Sequence, residues 1–242
     1  FWHYRVAQQL TRDGIGPIVD SISFASMKTP WTPYSWLAEL GMKSLWDRFG
    51  LTGAIIVQST MITGIFMLTA LCCRQRPWND QSDEGSRLLP TLLATALAVG
   101  VSLPYLSFRP ATAATLILAL IALLLLRDRR LNERSKMVWV IPALTVLCVN
   151  LHFFAIFAVF WTGALFVGSI WEHLRKQMFI SPNIRHARPE GNHVNETCRD
   201  EPRRDETGRD ETGRRLRRAG LVLILTTLGF AMTPMLPGML KA

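Results

Sequence analysis

The chain has 242 residues, of which 49% are hydrophobic, and carries 27 Lys and Arg against 18 Asp and Glu, a net charge of +9. With a mean hydropathy of +0.20, composition alone does not separate a soluble domain from a membrane protein; the distribution of charge does. Asp, Glu, Lys and Arg are absent from Leu51–Cys73, Leu88–Phe108, Pro110–Leu126, Met137–Trp171 and Ala219–Leu240, and one such charge at the centre of a spanning helix costs about 2.5–3.5 kcal/mol.

In chain order, residues 1–50 form a polar, Trp-rich segment holding Trp2, Trp31, Trp36 and Trp46. Phe1–Thr11 reads as a helix, and Asp13-Gly14-Ile15-Gly16-Pro17 as a turn from its Gly and Pro content. Tyr34–Phe49 reads as an amphipathic helix with Ser35 as N-cap, because Trp36, Leu40, Met42, Leu45, Trp46 and Phe49 return at helical spacing. Its Trp and Leu face, placed just before a spanning stretch, suits a helix lying in the membrane interface, or one packed on a soluble partner domain.

A crossing of about 30 Å takes about 20 apolar residues. Met137–Trp171 is too long for one: its length would reach about 52 Å at about 1.5 Å per residue, and Asn150 and His152 sit at its middle. It is expected to form two short helices joined by a tight turn at Asn150–Phe153. The reading is an all-α, polytopic bundle of about six spans, near 51–73, 88–107, 111–126, 137–150, 154–171 and 219–239. The fourth is short and also reads as a buried hairpin.

The loops 74–87, 127–136 and 172–218 hold twenty of the 27 Lys and Arg. The positive-inside rule makes these loops cytoplasmic and places 1–50 outside. The chain is then a multi-pass protein of the inner (plasma) membrane, its partner the lipid bilayer. Basic residues in membrane-flanking loops face anionic lipid and argue against a nucleic-acid partner. An outer segment that begins at Phe1 with no preceding span is expected to belong to a fragment, or to follow an upstream span. Loop 172–218 is densely charged and poor in apolar residues, so it is expected to be disordered. It contains the tandem repeat Asp205-Glu206-Thr207-Gly208-Arg209 and Asp210-Glu211-Thr212-Gly213-Arg214. The four cysteines form no CxxC pair, which argues against disulfides and zinc.

Chemistry is expected where polar residues collect at the outer face: His3, Arg5, Asp13, Asp20, Glu39 and Arg109, with Asn150 and His152 in the turn. Arg109 offers a fixed cation for a phosphate or an anionic headgroup, or acts only as a snorkelling anchor. His152 beside Asn150 orients a phosphate or a sugar hydroxyl, or merely breaks the helix. Asp20 is the candidate catalytic acid, as general base or metal ligand; taken alone it also reads as a turn or cap residue.

Phe1-Trp2-His3, Pro17-Ile18-Val19-Asp20-Ser21-Ile22-Ser23-Phe24, Pro30-Trp31 and Ser35-Trp36-Leu37 resemble the first outer loop of bacterial GT-C-type membrane glycosyltransferases. Ser107-Phe108-Arg109-Pro110 resembles that family's Arg-Pro turn, and Val149-Asn150-Leu151-His152 its Asn-Leu-His turn. The resemblance implies transfer of a sugar from a polyprenyl-phosphate donor to an acceptor of unknown identity at the outer face. It implies an outer-loop acid that deprotonates the acceptor or holds a divalent metal, with Asp20 in that place. It makes His3, Trp36, Arg109, Asn150 and His152 substrate contacts, Arg109 on the lipid phosphate. The chain departs from the pattern in three places: it starts inside the Trp-Trp-His stretch, Ser35 stands where the family has an acid, and Phe153 and Phe154 replace glycines. Family members usually have more spans than six. The competing readings are a non-catalytic protein of the same architecture, as partner subunit or degenerate paralogue, and a small transporter. The latter would want ionisable groups at mid-membrane depth, where this chain has no Asp, Glu, Lys or Arg.

Overall fold

The computed structural model describes residues 2–19, 30–75, 88–102, 104–180 and 202–239. They form an all-α protein with one two-residue β ladder. The helices are α1 (Trp2–Asp13), α2 (Trp36–Cys73), α3 (Leu88–Ser102), α4 (Pro110–Arg130), α5 (Ile141–Leu151), α6 (Ile156–Ile180), α7 (Pro202–Ala231) and α8 (Leu236–Met239). Short 3-10 turns, Lys136–Val140 and Phe153–Ala155, precede α5 and α6. The strands β1 (Ile18–Val19) and β2 (Pro30–Trp31) pair antiparallel, Ile18 opposite Trp31.

Three helices among the described residues are long and apolar enough to cross a membrane: Trp36–Cys73, Pro110–Arg130 and Phe153–Arg175. By length and composition they mark a membrane protein. Leu89–Ser102 and Lys136–Leu151 are apolar but shorter. At about 1.5 Å per helical residue neither reaches about 30 Å.

The expected boundary between interfacial helix and span falls at Gly50, where α2 is broken. Gly50 has φ 57° and ψ −148°, outside helical geometry and in a region only glycine enters without strain. Ser35 holds the N-cap position, but its side chain makes no cap bond; it turns to Glu39 instead. The expected break near Asn150–Phe153 is present: α5 ends at Leu151, and His152 is extended at φ −166°.

Two compact units make up the chain. The first comprises Phe1–Val159 with Thr226–Ala242. Within it α2 packs on α1, α3, α4 and α5, and α4 packs on α5. Among the buried positions of α4, Ala114, Leu118, Ile121, Leu125 and Asp128 recur at alternating spacings of four and three, the period of one helix face. Pro110 begins that helix, and Arg127, Arg129 and Arg130 occupy its last turn, where cations complement the helix dipole. Asn132 and Glu133 then take left-handed φ of 52° and 60°, the Glu133 N–H donating to the Asp128 carbonyl at 2.8 Å. The Asp128 carboxylate accepts from the Ser135 N–H at 2.9 Å, which ties the following loop to the helix end.

The second unit comprises Phe160–Leu225. Gly163 lies near Leu223 and Gly220 near Phe166, so α6 around 163–166 and α7 around 220–223 run antiparallel. Loop 172–218, expected to be disordered, is helical at both ends: α6 continues through Ile180 and α7 starts at Pro202. Residues 181–201 lie outside the described set. The physical reason is local. Pro202 suits a first helical position, Glu and Arg are good helix formers, and the five-residue repeat sets Asp205, Asp210 and Glu211 four positions before Arg209, Arg214 and Arg215. Acid before base at that spacing favours a helix.

Candidate functional site

The site belongs to the first unit and is built by the docking of α1 on the start of α2. Val6, Leu10 and Ile18 form a small core with Trp31, Trp36 and Leu40 packed against it. His3 lies one turn ahead of Val6 and Ala7 on the same helix stripe, so a polar ring heads an apolar face. It meets Glu39, only 2% exposed, with 3.3 Å between His3 Nδ1 and Glu39 Oε1. Ser35 Oγ donates to the same oxygen at 2.9 Å. Glu39 Oε2 is buried and has no hydrogen-bond partner among the described residues. An unsatisfied buried acceptor costs about 1–3 kcal/mol, so this carboxylate is held in the fold against its own solvation.

Trp36, Asn150 and His152 form the other side of the cluster. Asn150 is buried; its Oδ1 accepts from Trp36 Nε1 at 3.0 Å, and its Nδ2 donates to the carbonyls of Val146 at 2.8 Å and Met232 at 3.1 Å. One amide thereby joins α2, α5 and the chain after α7. Gly229 permits that approach: a Cβ there would stand 2.9 Å from the Pro142 carbonyl oxygen. The His152 ring packs edge-on to Tyr34, with centroids 5.5 Å apart, and against Phe153 and Phe154 at 4.6 and 4.2 Å. Its Nδ1 accepts from the Phe154 N–H at 3.3 Å.

His152 stands between α5 and the span Phe153–Arg175, outside both. Burial, with His3 as a second cause, pushes its pKa down to about 4. The folded chain therefore holds a neutral ring that the unfolded chain would protonate near pH 6.5, and stability is lost as pH falls from about 6.5 towards 4. Allowing for solvent screening, the loss is about 1–2 kcal/mol. Unfolding midpoints of wild type and His152→Phe across pH 7 to 4 are expected to diverge, the wild type losing more. Parallel curves would show that the ring is not held neutral.

Beyond His3 a cleft of ≈ 240 Å³ is lined by His3, Tyr4, Met42, Trp46 and Phe108. Tyr4 is turned to its rim, donating to Asp47 Oδ1 at 2.8 Å, and Lys43 pairs with the other oxygen of Asp47. Arg109 follows Phe108 directly. It is exposed, sits in the N-cap position of α4 with φ −139°, and makes no cap bond. No hydrogen bond or ion pair engages its side chain among the described residues. A free guanidinium beside the positive end of a helix attracts an anion.

Of the residues expected at the site, His3, Trp36, Asn150 and His152 are gathered in one cluster, and Arg109 stands next to a wall of the cleft. Asp20 lies outside the described residues. In the sequence Glu39 is one of the outer polar groups and carries no assigned role. Its signal was positional: at about 100° per helical residue it falls about 20° from Trp46, inside the apolar face of its own helix. Glu39 and His3 supply only two donors, and no group of three or more His, Cys, Asp or Glu that could hold a metal ion occurs among the described residues. The described residues therefore do not form a divalent-metal site.

Compared with models of known protein families, with curated proteins and with solved structures, the chain matches none. The glycosyltransferase resemblance rests on its motifs.

Proposed function

We propose that the protein is a membrane-embedded glycosyltransferase of the GT-C kind, moving a sugar from a polyprenyl-phosphate donor to an acceptor at the outer face of the inner membrane. The observation that carries this reading is the His3–Glu39 pair at a cleft lined by His3 and Phe108, with the exposed Arg109 next to Phe108 in the chain. An acid–imidazole pair suits removal of an acceptor proton, and a guanidinium suits the phosphate that leaves with the electron pair. A lipid-phosphate leaving group needs no nucleotide-binding fold, and no dinucleotide fingerprint or phosphate loop occurs in the sequence. The orientation follows from the basic loops, and the reading of about six spans rests on the charge-free runs of the sequence beyond the three long apolar helices. Asp20 keeps the role of a second acid in this proposal.

Arg109→Ala is expected to lower transfer from a polyprenyl-phosphate sugar at least about 100-fold, with membrane insertion unchanged. Labelled-sugar transfer in membranes of matched protein content measures it; full activity in the variant would sink the assignment.

A second reading, a non-catalytic protein of the same architecture, is favoured by one observation. Trp36 and Asn150, two residues that the resemblance assigns to substrate, are hydrogen-bonded to each other. Wild-type membranes that neither transfer nor hydrolyse the donor would decide for it.

A further inference from the structure

We propose, resting on the glycosyl-transfer reading, that the acceptor is a membrane-anchored alcohol bound in the cleft lined by Met42, Trp46 and Phe108, and that His3, positioned by Glu39, takes its proton. The cleft has little polar character to offer. Of its lining residues, Met42, Trp46 and Phe108 give largely apolar walls, and the Tyr4 hydroxyl donates to Asp47. That leaves the His3 ring as the principal polar group. A sugar acceptor would bring several hydroxyls into these walls without partners, at about 1–3 kcal/mol each. A single hydroxyl on an apolar stem matches one imidazole among apolar side chains.

Access points the same way. Trp46 is 42% exposed, and Phe49 and Leu51 beyond it are 63% and 62% exposed. These large apolar side chains run from the cleft wall to the start of the long apolar stretch of α2, so a ligand can arrive from lipid rather than from water.

The chemistry follows from the hydrogen bonds. A carboxylate only accepts, so Glu39 Oε1 takes one bond from Ser35 Oγ and one from His3 Nδ1–H. That fixes the tautomer in which His3 Nε2 carries the free lone pair. In the step, the O–H bond of the acceptor breaks and its proton moves to Nε2. The acceptor oxygen forms a bond to the sugar C1, the bond from C1 to the phosphate oxygen breaks, and its electron pair stays on the departing polyprenyl phosphate. The imidazolium so formed stands beside the buried Glu39 carboxylate, whose unpartnered Oε2 leaves it poised for a positive neighbour. His3 is the catalytic group and Glu39 the positioning one.

The full chain in lipid nanodiscs tests this with three probes: a polyprenyl-phosphate sugar, diacylglycerol bearing a photoreactive diazirine in one acyl chain, and a water-soluble methyl glycoside. Label is expected to pass to diacylglycerol into the organic phase, and not to the glycoside. The diazirine is expected to cross-link to residues 36–49 or to Phe108, with the cross-link reduced at least about 5-fold by excess plain diacylglycerol and by Met42→Trp, which fills the cleft. His3→Gln is expected to lower kcat at least about 100-fold with KM little changed; Glu39→Gln lowers kcat less, and Glu39→Asp recovers part of it. Transfer to the glycoside alone, or a cross-link indifferent to Met42→Trp, overturns the proposal. So does loss in Glu39→Gln that appears only as reduced folded protein. If no acceptor is glycosylated, the glycosyl-transfer reading falls, and the cross-link decides independently what the cleft holds.

Discussion

Replacing Asn150 by leucine is expected to destabilise the protein by about 2–4 kcal/mol. The change keeps the number of side-chain heavy atoms and their branching at Cγ, and removes the bonds to Trp36 Nε1, the Val146 carbonyl and the Met232 carbonyl. Val146 retains its place in the helix ladder, but the indole N–H of the half-buried Trp36 is left without its partner, worth about 1–3 kcal/mol, and the carbonyl of Met232, an exposed residue, loses a bond worth about 0.5–1.5 kcal/mol. Trp36→Phe takes away the indole donor and part of the ring packed against Val6, Leu10 and Ile18, and should cost about 1–3 kcal/mol. The two changes share one bond, so the double variant should lose less than the sum, with a coupling of about 0.5–3 kcal/mol. Thermal unfolding in detergent gives all four corners of this cycle. If Asn150→Leu unfolds with the wild type yet transfers no sugar, Asn150 is a substrate contact and its amide is not the tie between α2, α5 and the chain after α7.

Gly50→Val is the second large effect, and it acts through the backbone. At φ 57° and ψ −148° the residue breaks α2, and a non-glycine residue held there carries about 1–3 kcal/mol of strain. A Cβ at Gly50 meets no atom within 4 Å, so any loss comes from conformation rather than crowding. The functional consequence is larger than the thermodynamic one. Ser35, Glu39, Met42 and Trp46 all precede the break, and their direction relative to the span depends on it. Gly50→Val is therefore expected to disturb the Trp36–Asn150 contact and the Phe108 wall of the cleft, which join residues before and after the break, abolishing transfer. Gly41 supplies the control: it lies within the same helix, also with open space around its Cβ position, and Gly41→Ala should stabilise by about 0.5–1 kcal/mol. Unfolding midpoints for the pair should move in opposite directions. Movement in the same direction would show that the break at Gly50 is not imposed by its backbone angles.

Local signals in the sequence read well where the physics is local. The apolar runs mark the long helices because lipid tolerates no charge at its centre. Gly50 separates the amphipathic helix from the apolar one, Pro110 opens α4, and the polar pair Asn150 and His152 marks the end of α5. Each is decided by residues within a few positions. Two local readings were displaced. Residues 202–218 are too polar to fold into a core, yet their repeat spacing suits a helix. Ser35 holds the cap position, yet its hydroxyl donates to Glu39 rather than capping the helix.

The site was legible only in part. The sequence by itself determined a membrane protein, the order of its helices and breaks, and a short roll of polar groups near their ends. It did not determine which of those groups meet. His3 reaches Glu39 across 36 positions, Trp36 reaches Asn150 across 114, and Asn150 reaches Met232 across 82. Those pairings follow from how α1, α2 and α5 dock, which no local period encodes. The same docking decided that Asn150 is occupied and that the buried acid of the cluster is Glu39. An acid within an apolar helix face is compatible with several burials; only the packed neighbours fix which of its oxygens is satisfied and which is left to act.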